Sequence, residues 1–383
     1  MTRTIRTAAF IAALVCMALA PRANAAPVPV EKSQPVDIVL CLDVSSSMDG
    51  LIASAKLKLW DIVNELAKVK PTPDLRVGLY SYGHISYTAE SGWVQKELDL
   101  TGDLDAVYAK LNGLTTRGGT ELVARASRDA IKNQKWSEAK NALKLVFVCG
   151  NEAANQDKDV TLTDVAKLAK AQGILVNSIY CGSDGDGIST GWKDFAIDCG
   201  GKYAFINQDK ARSQPVIATK FDKELNDLSG KLNTTYLFFG EAKEALKQNQ
   251  VAQDANAEKA APGAGADRAA SKAGELYKNQ NDLIDRMKAD GKFDVKKLKE
   301  EELPDELKKL KPEEREAQIK KKATERTELQ KKIQELTVQR AKVIEEELKK
   351  LPKTDNDKAL DEALRAMIRE QAKSKGFKVQ EKK

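Results

Sequence analysis

One aspartate and two serines at alternate positions, Asp43-Val44-Ser45-Ser46-Ser47-Met48, directly follow the apolar run Val36–Leu42. A carboxylate and two hydroxyls aimed at one point, completed by water, make a hard-oxygen donor set. Such a set suits Mg²⁺, Mn²⁺ or Ca²⁺ rather than zinc. The spacing alone also fits an ordinary turn or helix cap. A second element, Thr116-Arg117-Gly118-Gly119-Thr120-Glu121, opens a helical segment at Leu122–Asn133, about seventy residues downstream. Its two glycines permit close backbone approach and bring Thr120 to the same rim.

These residues need a scaffold that delivers both segments to one edge. Apolar, β-branched-rich runs of strand length occur at Val36–Leu42, Leu75–Tyr82, Leu143–Cys149, Ile174–Cys181 and Tyr203–Ile206. Continuous runs of this kind suit strands buried on both faces of a parallel sheet. Between them lie segments such as Leu51–Val69, where Ile52, Ala55, Leu59, Ile62, Val63 and Leu66 recur at helical spacing. Strands alternating with helices predict an α/β fold, a doubly wound and mostly parallel sheet with helices on both faces. Ligands in that architecture bind beyond the carboxyl ends of the strands, where Asp43 lies.

Asp-x-Ser-x-Ser at residues 43–47, followed by Gly118-Gly119-Thr120 in this strand–helix order, resembles the metal-ion-dependent adhesion site (MIDAS) of von Willebrand factor type A (VWA) domains. The resemblance covers roughly residues 35–230, and exported bacterial members of the family are similar in their last strands. It implies a Rossmann-like fold with Asp43, Ser45, Ser47 and Thr120 as ligands of Mg²⁺ (or Mn²⁺/Ca²⁺), directly or through water. The family's further acidic residue follows the fourth strand in a Thr-Asp-Gly turn. Here the chain reads Gly150-Asn151-Glu152, which leaves Asn151 or Glu152 to contribute an oxygen. Such a site keeps an open position that a carboxylate of a partner protein completes, so the resemblance implies a binding module and no catalysis.

Other chemistries find less support. A phosphoryl-accepting role for Asp43 requires a second aspartate where Ser45 stands. A serine nucleophile requires a base, and the single histidine, His84, reads as a rim residue. A metal-dependent hydrolase built on Asp43 remains one alternative, and a structural VWA protein that has lost metal binding is another. Gly182–Gly187 has the flavour of a calcium loop without the distal glutamate, and reads as a flexible loop.

At the N-terminus, Arg3 and Arg6 precede the apolar run Ala8–Ala20 and the triplet Ala23-Asn24-Ala25. This is the layout of a signal peptide over residues 1–25, cleaved before Ala26, and it predicts an exported protein, periplasmic or secreted. No stretch of the mature chain is long and apolar enough to predict a membrane span. Loss of Arg3, Arg6 and Arg22 takes the formal charge from +6 to +3, a balance that does not favour nucleic acid. Four cysteines then remain. Cys41 and Cys149 read as buried thiols, and Cys181 with Cys199 as a possible disulfide between glycine-rich loops.

Composition divides the chain into a VWA domain at 34–232, a linker region at 233–270 and a charged helical region at 271–383. The Ala260–Ala266 stretch reads as flexible. Pro312–Leu351 reads as a long helix with a thin apolar stripe (Ile319, Ala323, Ile333, Leu336, Val343, Ile344, Leu348) broken at Arg326 and Arg340. Those breaks argue against a regular coiled coil and for a solvated or partner-docking helix.

Overall fold

Six strands form one sheet in the order β4-β3-β1-β5-β6-β7 in the computed structural model, which describes residues 33–183, 185–206, 217–350 and 360–379. The strands are β1 (Pro35–Asp43), β3 (Asp74–Tyr82), β4 (Val94–Thr101), β5 (Leu143–Gly150), β6 (Leu175–Tyr180) and β7 (Tyr203–Phe205). All neighbours pair in parallel except β4, which runs antiparallel to β3 at the edge. The five apolar runs of the sequence are β1, β3, β5, β6 and β7. The fold class is as the sequence predicts. The signal peptide reading of residues 1–25 lies outside the described residues.

Side chains of β1 alternate between the two faces, as a pleated strand requires. Ile38 and Leu42 enter one apolar layer with Leu145 and Phe147, while Val39 and Cys41 enter the other with Val146 and Val148. The second layer is closed by α3 (Val123–Lys132), α4 (Leu162–Gln172) and α5 (Ser189–Asp198). The first is closed by α1 (Asp49–Leu66) and α2 (Leu104–Gly113) together with helices from the C-terminal half.

That half comprises α6 (Asp222–Asn233), α7 (Lys243–Ala260), α8 (Pro262–Lys272), α9 (Leu283–Ala289), α10 (Asp305–Lys308), α11 (Pro312–Lys350) and α12 (Leu360–Ser374). The flexible link expected at Ala260–Ala266 is instead the junction of α7 and α8. Pro262 opens α8, and Ala264, Ala266 and Ala269 are buried in a face too small-sided to keep the helices apart. The alanines that look like a linker are there so that α8 can pack closely on α6, α7 and α1. Described residues from 33 onward form one compact unit.

α12 packs along α1 and adds Ala363, Leu364, Met367 and Ile368 to the first apolar layer. Its following strand β8 (Lys378–Val379) pairs antiparallel with β2 (Val69–Lys70). On β6, Asn177 is fully buried and exchanges amide hydrogen bonds with Gln371 of α12 at 3.0 and 2.7 Å. Asn177 Oδ1 also accepts from Lys202 N at 2.8 Å. A buried amide demands partners, and the last helix supplies them.

The two arginines that break the apolar stripe of α11 belong to its buried face. Ile319, Arg326, Ile333 and Arg340 are all buried and spaced by seven, two helical turns apart. Arg326 donates to Asp282 at 2.8 and 3.0 Å, to Asp285 at 3.1 Å and to Thr235 O at 2.7 Å, over the Tyr236 ring at 3.9 Å. Arg340 bonds Asp222 at 2.7 Å, Asp267 at 2.6 Å and Gly263 O at 3.0 Å. Buried charges survive when they are paired and hydrogen-bonded, and each guanidinium meets two carboxylates and a backbone carbonyl.

A third buried cation joins the two halves. Arg268 of α8 bonds Asp105 of α2 at 2.5 Å and Asp254 of α7 at 2.6 Å, and stacks over Trp60 of α1 at 4.7 Å. Beside it, buried Lys272 donates to Asp254 at 2.9 Å and to Ser229 Oγ at 2.8 Å. Burial lowers the Lys272 pKa to about 8, with Asp254 opposing the fall.

Candidate metal centre

Parallel strands β1 and β5 lie side by side, so Asp43 and Gly150 end at the same edge of the sheet. Asp43 is fully buried. Its Oδ1 accepts from Ser45 N at 2.8 Å, which curls the chain over the strand end into a short turn at Ser46–Met48 and then α1. Its Oδ2 is buried and, among the described residues, has no hydrogen-bond partner. Ser45 Oγ and Ser47 Oγ stand 3.1 Å apart, Ser45 buried and Ser47 exposed.

Glycines leave room for this carboxylate. A Cβ at Gly83, which follows β3 with φ +82°, would lie 2.9 Å from Asp43 Oδ1. A Cβ at Gly150 would come 3.2 Å from Asp43 Oδ2 and 2.5 Å from the Tyr82 hydroxyl. Tyr82 is itself buried and donates to Cys149 O at 2.8 Å, closing the floor beneath the carboxylate.

The segment 116–121 is tied to the serine turn by its backbone and hydroxyls. Arg117 N donates to Val44 O at 2.9 Å, Gly118 N donates to Ser46 Oγ at 2.7 Å, and Thr116 bonds Asp49. Gly119 lies so close to Gly83 that a Cβ there would meet Gly83 O at 2.5 Å. Half-buried Thr120 therefore sits between Gly119 and Glu121, both of which abut Gly83. The structure brings the Asp43 turn and the Thr120 turn to one rim.

Asn151 also reaches this rim, its amide meeting Ser47 Oγ at 3.0 and 3.2 Å. Glu152 is exposed, and its backbone carbonyl accepts from Trp192 Nε1 at 2.8 Å. Trp192 itself is buried in the second apolar layer. His84 pairs with Ser86 Oγ at 2.6 Å beside the Tyr87 ring. Asp186, in the glycine-rich 182–187 loop, accepts from Ile188 N, Ser189 N and the Tyr180 hydroxyl, which orders the approach to α5.

Glu121 is the neighbour that the sequence motif does not single out. Its Cγ lies 3.0 Å from the position a Gly83 Cβ would take. Its place directly after Gly118-Gly119-Thr120 was the available signal. Burial raises the Asp43 pKa to about 7, opposed by the Ser45 hydrogen bonds and reinforced by the negative charges of Glu121 and Glu152. Burial also raises the Glu121 carboxyl, with Glu152 adding to it. A cluster of negative charge around a desolvated carboxylate with an unpartnered oxygen is chemically matched to a cation. Among the described residues, no three His, Cys, Asp or Glu side chains group as metal ligands, and a site of one carboxylate with hydroxyls is of a different kind.

The possible Cys181–Cys199 disulfide is not formed. Cys181 follows β6 and faces the first apolar layer, whereas Cys199 caps α5 within the second. The sheet separates them, and both are buried free thiols, as are Cys41 and Cys149.

Residues 37–214 match the family model of the von Willebrand factor type A domain. The chain carries a VWA domain. A comparison with curated proteins finds no match. Solved structures similar to this VWA chain include proximal thread matrix protein 1 from the mussel byssus with a zinc-occupied MIDAS motif. That protein is 15% identical with TM-score 0.37, over 46% of this chain and 43% of that one, so the match spans less than half of the mussel protein. Others are the vWF domain of the pilus tip protein Mfa5 from Porphyromonas gingivalis (16% identity, TM-score 0.35, 47% and 92% covered) and the SpRpn10 VWA domain (18%, 0.33, 45% and 88%). Within the VWA domain of this chain, the sheet edge bearing Asp43 carries the predicted oxygen donors, and α6, α7, α8, α11 and α12 extend the domain's first apolar layer.

Proposed function

We propose that this VWA domain binds a divalent cation, Mg²⁺ (or Mn²⁺/Ca²⁺), and uses it to hold an acidic residue of a protein partner. Asp43, Ser45, Ser47 and Thr120 would hold the ion, with Asn151 and Glu152 contributing from the β5 end. The observation that carries the reading is Asp43 Oδ2, buried without a partner beside two hydroxyls 3.1 Å apart. An orphaned buried carboxylate oxygen costs on the order of 1–3 kcal/mol, more when charged, and a cation removes that cost. When bound, the ion would supply an electropositive, incompletely neutralised point that rewards an incoming carboxylate.

Binding rather than turnover is the role assigned. The signal-like sequence of residues 1–25 supports a reading in which this activity lies in the cell envelope or outside the cell. The test is calorimetric titration of the full chain with Mg²⁺, Mn²⁺ and Ca²⁺ beside Asp43→Ala. Saturable heat lost in the variant supports the reading. No heat with any of the three ions favours the alternative of a structural VWA protein, for which the Asn151 amide occupying Ser47 Oγ would be the cause.

A further inference from the structure

We infer that Lys272 and Asn233 join covalently: the lysine amine displaces ammonia from the asparagine amide, with Asp254 moving the protons, and an isopeptide bond ties α8 to α6.

Three helices bring these groups together. Asn233 is the last residue of α6, Lys272 is the last of α8, and Asp254 lies in α7. Lys272 is fully buried. Its Nζ donates to Asp254 at 2.9 and 3.0 Å, to Ser229 Oγ at 2.8 Å, to Ser229 O at 3.1 Å and to Asn233 Oδ1. More oxygens surround the ammonium than it has protons to give. An ion pair accounts for Asp254, but not for an amide carbonyl held against the same amine. Acyl transfer starts from separations of about 3–3.5 Å, and the contact with Oδ1 keeps Nζ within reach of the adjoining Cγ. A further contact decides the chemistry. Asn233 Nδ2 donates to Asp254 Oδ2 at 2.6 Å, so a single carboxylate touches both the attacking and the leaving nitrogen.

The step balances without an outside reagent. Asp254 takes a proton from the Lys272 ammonium and frees the Nζ lone pair. Nζ bonds to Asn233 Cγ, the Cγ–Nδ2 bond breaks, and Nδ2 gains a proton released by Nζ to depart as ammonia. Ammonia then recovers the proton held by Asp254 and leaves as ammonium, which restores the carboxylate. Burial lowers the Lys272 pKa to about 8; Asp254 opposes the fall, and Arg268 of the same helix adds to it. Asp105 of α2 lies beyond, bonded to Arg268 and Tyr277. Burial raises the Asp254 carboxyl, but Lys272 and Arg268 outweigh it, so Asp254 is charged and the first proton transfer runs uphill. Asn233 and Asp254 are half-buried, which leaves ammonia a way out while Lys272 stays dry. The bond closes residues 233–272 into a ring and fixes α6 against α8, which itself packs on α1 of the VWA domain.

The experiment is intact-mass measurement of the full chain held at about pH 8, followed by tryptic mapping of the denatured protein. Joined protein should be lighter than the unjoined chain by one ammonia. Trypsin should then release residues 232–243 and 269–278 as a single branched peptide, because Lys272 is no longer cleaved. Asp254→Asn keeps the size of the side chain and should slow joining about a hundredfold or more. Lys272→Met should abolish it, and thermal unfolding checks that both variants fold. An unshifted wild-type mass, with residues 232–243 and 269–272 recovered separately, would overturn the inference however the variants behave. Loss of ammonia without a branched peptide is succinimide closure at an asparagine and overturns it equally. Joining at an undiminished rate in Asp254→Asn overturns the part given to the carboxylate.

Discussion

Replacing Asp43 by asparagine should stabilise the metal-free protein at pH 8 and destroy its response to Mg²⁺. The carboxyl is held at a pKa of about 7 by burial, against 3.8 for the ordinary group. Its folded-state value is raised, so its stabilising contribution is complete below pH 3.8 and is lost as pH rises through 7. A difference of this size corresponds to about 4 kcal/mol at pH 8 in the absence of a cation. Asparagine carries no charge to desolvate, but its Nδ2 would take the place of the unpartnered Oδ2 and returns about 1–3 kcal/mol of that gain. The net expectation is a stabilisation of about 2 kcal/mol in EDTA at pH 8, and none at pH 4. For a unit of this size, that is a rise in Tm of roughly 2–4 °C. With Mg²⁺ at a hundred times its Kd, the wild type should gain about 2.7 kcal/mol and overtake the variant. The assay is thermal unfolding between pH 4 and 8, with EDTA or Mg²⁺. Wild type and variant with parallel pH dependence in EDTA would refute the buried-carboxylate argument, whatever Mg²⁺ then does.

Gly83→Ala should cost about 1–2 kcal/mol and abolish the Mg²⁺-dependent rise in Tm, because a Cβ at φ +82° lies 2.9 Å from Asp43 Oδ1. Arg268→Ala should lower stability by about 3–5 kcal/mol in chemical denaturation, since it leaves Asp105 in the interior without a cation. Met367→Ala in α12, 5% exposed within the first apolar layer, should cost about 2–5 kcal/mol by the same measurement. Limited proteolysis should spare Ala260–Ala266, because α7 ends at Ala260, α8 opens at Pro262, and Ala264 and Ala266 are buried. Rapid cleavage there would contradict the packing of α7 and α8.

The sheet was legible because its five parallel strands are apolar runs, a pattern that burial on both faces imposes. Strand β4 was not. Its residues Gln95, Lys96 and Asp99 face solvent at the antiparallel edge, and one exposed face dilutes the apolar signal to that of a loop. At the site, Asp43, the serines and Thr120 announce themselves by type and spacing. Glu121 and Gly83 do not, because their importance lies in contacts made across loops from different strands. Spacing along one segment cannot encode distance between two.

The C-terminal half misleads for a different reason, and Arg326 and Arg340 show it best. Read by hydropathy, each interrupts the stripe of α11 and turns the helix toward solvent. Read by position, they sit seven and twenty-one residues after Ile319, in register with Ile333 on the buried face. An ideal helix drifts only about 20° over each seven residues, so all four side chains share one seam. What makes the arginines tolerable is located elsewhere in sequence: Asp282 and Asp285 for one, Asp222 and Asp267 for the other. Charge balance in a composition table already hints at such pairing, but it does not say which charges are inside. Replacing Arg326 by methionine should test the point, since the Tyr236 ring 3.9 Å away can pack against an apolar chain. The loss should exceed that of a surface charge, because Asp282 would remain buried with no cation beside it, and it should amount to about 3–5 kcal/mol. Adding Asp282→Asn in the same chain should recover part of that loss, because the neutral amide no longer needs the guanidinium. A double variant no more stable than the single one would mean that Arg326 acts through its stacking on Tyr236 and its bond to Thr235 O, and that charge pairing contributes little to the seam.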